Sequence, residues 1–197
     1  MENSPKLSPK NEVYRDQYRY IYRVSANFGT FSKEYLVTDS GERAGIVIVK
    51  DGLVLLVRQY RFLIDRLSWE VPGGRIDEGE TPIQAAAREC LEETGLACNN
   101  LETLVMYYAG LDSFRNIIHL FYTDEFERQK EYHANPEEVV SMEWVPLDRC
   151  IQMIFDGTIL DSMTIIALLA YQQSTVQRGK THLDGKISKS NLDEEAS

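Results

Sequence analysis

The 197-residue sequence predicts an α+β domain in which helices pack on a mixed β-sheet. Three observations carry this. Alternating strand patterns occupy the first third of the chain. One strongly marked helix then interrupts them. More strand patterns follow, and two helical patterns close the chain.

Residues 1–12 are polar, with Ser-Pro at 4–5 and 8–9, and read as a flexible N-terminal tail. Tyr18 to Ser25 alternates aromatic or aliphatic with charged residues and reads as a strand; Lys33 to Thr38 reads as another. Gly45 to Val49 and Leu53 to Arg58 flank Lys50-Asp51-Gly52, and Asp-Gly between apolar runs signals a hairpin. The helix is Thr81 to Thr94. Thr81 can cap it, Pro82 suits its first turn, Gln84 completes a Thr-x-x-Gln capping box, and Gly95 suits its end. Ile83, Ala87, Cys90, Leu91 and Thr94 follow helical periodicity and are expected to form its packing stripe. Leu104 to Tyr108, Asn116 to Tyr122 and Val139 to Val145 read as further strands. Pro146 to Phe155 and Asp161 to Tyr171 read as closing helices, with Gly157 between them. Residues 173–197 are polar and read as a disordered tail, leaving a single domain at 13–172.

Hydrophobic residues make up 43% of the chain, which suits a folded core. The 21 Lys and Arg against 31 Asp and Glu give a net charge of −10. Such a chain is a poor general nucleic-acid binder, because phosphate binding wants a basic surface. It can still bind a small anion if a divalent metal reverses the local sign. The charge is uneven: Glu70 to Leu96 carries a net −5, half of the total. Cys90, Cys98 and Cys150 are sparse and lack CxxC spacing, which argues against a disulfide framework or a zinc site. The N-terminus has no apolar h-region, and the longest apolar stretch, Ile165 to Tyr171, is too short to span a bilayer. A cytoplasmic protein without a membrane partner is the expectation.

Glu89, Glu92 and Glu93 stand at i, i+3 and i+4 on the Thr81 helix, on one face. They lie toward its C-terminal end, where the helix dipole disfavours anions. Arg88 can pair with Glu92, which leaves two carboxylates over. Clustered carboxylate oxygens suit hard cations such as Mg²⁺. The preceding Val71-Pro72-Gly73-Gly74-Arg75-Ile76-Asp77-Glu78-Gly79-Glu80 holds three glycines, which predicts a tight loop whose backbone can approach a ligand.

Gly74, five residues, Glu80, seven residues, then Arg88-Glu89-Cys90-Leu91-Glu92-Glu93-Thr94-Gly95-Leu96 resembles the Nudix box, Gx5Ex7REUxEExGU. Its one departure is Cys90 at a position for a bulky aliphatic residue. Arg58-Gln59-Tyr60-Arg61, Glu70 through Ile76, and Trp144-Val145-Pro146-Leu147 through Gly157-Thr158-Ile159 are similar to the ADP-ribose pyrophosphatase branch. The resemblance implies an αβα sandwich, a homodimer built by the N-terminal strands, and Mg²⁺-dependent (or Mn²⁺-dependent) hydrolysis of a nucleoside diphosphate linked to a sugar. The products would be a nucleoside monophosphate and a phosphorylated sugar.

By the same resemblance Glu89 and Glu93 bind the metal directly, and Glu92 assists as ligand or through water. Arg88 orients the carboxylates, and the carbonyl near Gly73 completes a site. Glu92 and Glu93 with Arg88 form the catalytic set. Glu138, in Asn135-Pro136-Glu137-Glu138, matches a further metal or catalytic Glu; Glu137 is its alternative. Arg58 and Arg61 would meet the diphosphate or distal ribose, an anion that Arg suits. Glu70 would orient substrate or an arginine. Phe28, Phe31 or Tyr22 would stack on the base, and His119 is expected to be packed. ADP-ribose enzymes usually carry Ser-Pro-Gly and then Glu-Arg after the box. Here Ala109 replaces the Pro and Phe114 the Glu, while Arg115 is retained. The sugar therefore stays open, with other ADP-sugars and GDP-mannose as alternatives. A non-hydrolytic nucleotide sensor is the reading from another class, and an RNA-cap hydrolase is weakened by the net acidity.

Overall fold

The computed structural model describes residues 4–129 and 139–194. Its centre is β4 (Ser32–Lys50), a single 19-residue strand where two shorter ones were expected. Its first half pairs antiparallel with β3 (Tyr20–Asn27). Its second half pairs in parallel with β10 (Phe114–Thr123) and antiparallel with β7 (Gly73–Arg75). Each half has its own neighbours, so the polar stretch between the two apolar runs stays extended. The expected hairpin then leads into β5 (Leu53–Arg61), which pairs with β6 (Arg66–Glu70) and β12 (Ser141–Pro146). A 3-10 turn, Phe62–Ile64, joins β5 to β6.

The strands β1 (Lys6–Leu7) and β2 (Asn11–Arg15) both pair with β3. Pairing thus reaches into the segment read as a tail. β9 (Glu102–Tyr108) pairs with β10. β8 (Leu96–Asn99) and β11 (Glu125–Arg128) form a separate two-stranded ribbon. Sequence patterning missed β6, β7, β8 and β11, because strands of three to five residues show too few alternations.

Helix α1 (Pro82–Thr94) covers one face of the sheet, over Ala44, Ile46, Ile48, Leu55 and Phe121. Helices α2 (Leu147–Phe155) and α3 (Ser162–Glu194) cover the other, over Val47, Val54, Leu56, Ile118 and Leu120. This is the expected αβα sandwich. Beyond residue 172 α3 stays docked as far as Arg178, whose guanidinium lies 4.4 Å from the Tyr122 ring centroid and 3.3 Å from Glu102. Among the described residues no helix is long and apolar enough to cross a membrane.

The capping box of α1 forms as expected. Gln84 N donates to Thr81 Oγ1 and Thr81 N donates to Gln84 Oε1. Thr81→Ala is expected to cost about 1 kcal/mol, read as a lower melting midpoint. The packing stripe holds at Cys90 and Thr94 and differs from expectation elsewhere. Ala85, Ala86, Cys90, Glu93 and Thr94 are buried, whereas Ile83 is 43% exposed and Ala87 and Leu91 are half-buried. The helix is rotated so that Glu93 faces inward, where Gln59 and Gly73 supply it with donors.

Candidate active site

The last two turns of α1 present Arg88, Glu89, Glu92 and Glu93 to the segment that leads into it. Arg88 is the hub. It donates two bonds of 3.0 Å to the Glu80 carboxylate, bonds of 2.9 Å to Glu89 and Glu92, and one of 2.8 Å to the Arg75 carbonyl. Five bonds from one planar guanidinium tie the helix to its preceding loop. The same bonds hold the Glu80 carboxyl below its ordinary range.

Glu93 is buried. Gln59 Nε2 donates to its Oε1 at 2.5 Å, and Gly73 N donates to its Oε2 at 3.0 Å. Burial outweighs these two bonds and pushes its carboxyl up to about 7; the nearby Glu89 and Glu70 add to the rise. Glu89 is also raised, chiefly by burial, with Arg88 opposing. Its carboxylate occupies the space over Gly74 that any side chain there would fill. Gly73 is constrained by backbone instead, because a Cβ would lie 2.5 Å from the Ala44 carbonyl oxygen. The two glycines therefore let the helix carboxylates rest on the β7 backbone.

These donors are all oxygens at one helix–strand junction, the chemistry a hard divalent cation prefers. Glu89 and Glu92 are turned onto Arg88, and Glu93 onto Gln59 and Gly73. Among the described residues no three His, Cys, Asp or Glu side chains converge as a ready-made cation cage. A cation would thus exchange with Arg88 for the Glu89 and Glu92 oxygens.

Beside this junction lies a cleft of about 300 Å³ lined by Arg43, Arg61, Glu70, Tyr107, Asn116 and Asp161, with Ala109 and Phe114 also in its wall. Arg61 donates to both oxygens of buried Glu70, at 2.8 and 2.5 Å. That pairing raises the Arg61 guanidinium, with Asp161 and Glu93 close enough to contribute. Arg43 is close enough to Glu89 to lower its carboxyl. Two arginines therefore bridge the cleft and the helix carboxylates. Asp161 caps α3, accepting from Thr164 N and Oγ1 at 2.8 and 2.7 Å; Thr164 Oγ1 in turn accepts from Val71 N.

The structure gathers Arg88, Glu89, Glu92, Glu93 and Gly73 at the junction, and Arg61 and Glu70 in the cleft. The other candidates lie elsewhere. Arg58 stacks on Trp69 at 5.1 Å, with a buried Nε that lacks a hydrogen bond. Arg115 is held by Asp39 and Glu42 and does not line the cleft. Phe28 stacks on Phe31 at the β3–β4 turn, away from the cleft lining. His119 is half-buried against Glu42. Glu137 and Glu138 lie outside the described residues. Sequence reasoning overlooked Gln59, Arg43, Asn116 and Asp161 as site residues. Asp161 alone had a visible signal, as an acid just before an apolar helix.

A family model described as the NUDIX domain matches residues 40–160. The chain is 31% identical over 141 residues to a methanol dehydrogenase activator of Bacillus methanolicus, covering 71% of this chain and 76% of that one. It is 26% identical over 150 residues to an ADP-ribose pyrophosphatase of Bacillus subtilis (strain 168), covering 76% and 81%. A crystal structure of an ADP compounds hydrolase superposes with a TM-score of 0.77 at 20% identity, covering 89% of this chain and 96% of that one. That likeness is one of fold. With the box residues assembled on α1 and the loop before it, and the family model matching residues 40–160, the chain belongs to the NUDIX family.

Proposed function

We propose that this protein hydrolyses the diphosphate of a nucleoside diphosphate linked to a sugar or similar moiety, with ADP-ribose as the type of substrate and Mg²⁺ as the cation. The observation that carries the reading is the junction of Glu89 and Glu93 with the Gly73-Gly74 backbone, beside a cleft bearing Arg43 and Arg61. Glu89, Glu93 and Glu92 hold the cation, which when bound offsets phosphate charge and polarises a water for attack. Arg43 and Arg61 receive the diphosphate oxygens, and Glu70 holds the Arg61 fork in place. Arg88 orients Glu89 and Glu92. Glu92 and Glu93 serve proton transfer, and Glu138 supplies a further carboxylate. The catalytic domain is read as residues 13–172, with β1, the start of β2 and the α3 continuation to Arg178 packed onto it.

The test is a panel of nucleoside diphosphate compounds with Mg²⁺, scored for nucleoside monophosphate release. Turnover of a nucleotide sugar that stops with a chelator is expected. Absence of turnover across the panel would favour the sensor reading. Within the panel, Ala109 and Phe114 in the cleft wall favour a second reading, another nucleotide sugar such as GDP-mannose, because the Pro and Glu usual for ADP-ribose are missing.

Metal affinity should depend on pH. Glu93 keeps its proton until about 7 and must lose it to bind a cation. Mg²⁺ affinity is expected to fall about tenfold per pH unit below this value and to level off above it. A pH-independent titration would remove Glu93 from the ligand set. Leu7, Val13, Tyr14, Tyr18, Phe31 and Leu36 leave exposed apolar surface on β1–β4 and the adjoining turns, which supports a homodimer through this sheet. Light scattering at a dimer's mass is the expected result.

A further inference from the structure

We propose that Cys90 and Cys98 form a redox couple that closes to an intramolecular disulfide by exchange with a small-molecule disulfide of the glutathione type. Their sulfurs stand 2.7 Å apart, inside ordinary contact, and a bond of about 2.0 Å requires a closure of well under 1 Å. Nothing in their sequence spacing marks them as a pair. The chain reversal between α1 and β8 brings them together.

That reversal is held at several points. Gly95 adopts the left-handed conformation, and its N–H donates to Leu91 O at 2.8 Å. Thr94 Oγ1 donates to Cys90 O at 2.5 Å and accepts from Leu96 N at 3.1 Å. On the far side β8 is paired with β11, placing Cys98 opposite Phe126. Both sulfurs therefore stand on backbone that cannot easily drift apart. Cys90 is fully buried in the cluster beneath α1, whereas Cys98 is half-buried. Cys150, the third thiol, is buried in the cluster on the opposite face of the sheet and serves as an internal control.

Access sets the order of events. The Cys98 thiolate attacks one sulfur of oxidised glutathione, whose S–S bond breaks. One glutathione leaves and takes up the proton that Cys98 gave up. Cys90 then loses its proton and attacks the Cys98 sulfur, and the second glutathione leaves as a thiol. Two protein thiols become one disulfide, and one glutathione disulfide becomes two thiols. The new bond anchors the last turn of α1, which carries Glu89, Glu92 and Glu93, to β8. Because the closure is small, those carboxylates keep their places. The pair is therefore a staple for the catalytic helix under oxidising conditions and leaves the enzyme on.

The experiment exposes the full chain to excess oxidised glutathione and then counts free thiols after denaturation. Intact mass, peptide mapping and a melting curve are recorded without reductant. The expected result is a fall from three free thiols to one, with a mass lower by two hydrogens and no glutathione retained. The cross-linked peptide joins Cys90 to Cys98. The midpoint rises by several degrees and returns on reduction, and nucleotide-sugar turnover changes by less than about twofold. Cys98→Ser is expected to abolish both the bridge and the melting shift, while Cys150→Ser changes neither. Three thiols surviving, a stable glutathione adduct on Cys98, a bridge to Cys150 or to a second chain, or an equal melting shift in Cys98→Ser would overturn the pairing. Loss of turnover on bridging would overturn the staple. Thiol count and mass do not depend on any substrate, so they stand apart from the proposed activity.

Discussion

Glu93→Gln is expected to lower Mg²⁺-dependent turnover by about a thousandfold or more, about 4 kcal/mol of lost transition-state stabilisation, with the fold retained. Gln fills the same volume but carries no charge for a cation. Its amide oxygen can accept from one of the two donors, but its amide nitrogen, itself a donor, must face the other, Gln59 Nε2 or Gly73 N. Stability should move the other way. The Glu93 carboxyl titrates at about 7 in the folded chain against an ordinary 4.5. A raised carboxyl costs nothing below the unfolded value. Its burial weakens the metal-free fold progressively as pH rises from 4.5 to about 7, reaching about 3 kcal/mol above that. Without metal the wild type should therefore melt lower at pH 8 than at pH 5.5 by more than Glu93→Gln does. Mg²⁺ should restore the wild type at pH 8 and leave the variant unchanged. Equal pH dependence in the two proteins, or undiminished turnover in the variant, would contradict this role.

The neighbouring glycines should separate stability from activity. At Gly73 an added Cβ would meet the Ala44 carbonyl oxygen at 2.5 Å and Gly45 Cα at 2.7 Å. Both obstacles are backbone, so β7 must leave β4. Gly73→Ala is expected to cost about 3 kcal/mol, or a midpoint lower by about 6–12 °C. At Gly74 the obstacle is the Glu89 carboxylate, the far end of a flexible side chain. Gly74→Ala should melt close to wild type but lose Mg²⁺ affinity at least about tenfold, because Glu89 is pushed off the β7 backbone. Thermal melts and metal titration of the two variants measure the contrast. Similar losses in both assays for both variants would mean that the glycines serve only the turn.

The candidate site was legible in the sequence where its residues are close along the chain. Arg88, Glu89, Glu92 and Glu93 share one helix, and helical geometry alone puts them on one face. Thr81, Gln84 and Gly95 mark its ends through bonds between residues three or four apart. The partners of these residues were not legible. Gln59 reaches Glu93 from β5, 34 positions away, and Arg43 reaches the cleft from the middle of β4. Arg43 does not differ in pattern from any polar residue on a strand, and Gln59 stands in the Arg58-Gln59-Tyr60-Arg61 segment without a role that its spacing could assign.

The rotation of α1 shows the same boundary. Periodicity favoured Ile83 and Leu91 as the inward face, yet Glu93 is buried and Ile83 is not. A carboxylate can enter the interior only where donors await it, and those donors come from other elements. Likewise the spacing of Cys90 and Cys98 carried no signal, while the reversal at Gly95 sets their sulfurs 2.7 Å apart. Family, helix and carboxylate set were thus determined by the sequence, because local spacing encodes them. The cleft, the inward rotation of Glu93 and the thiol pair were decided by tertiary structure, because each is a meeting of residues whose separation along the chain says nothing about their distance in space.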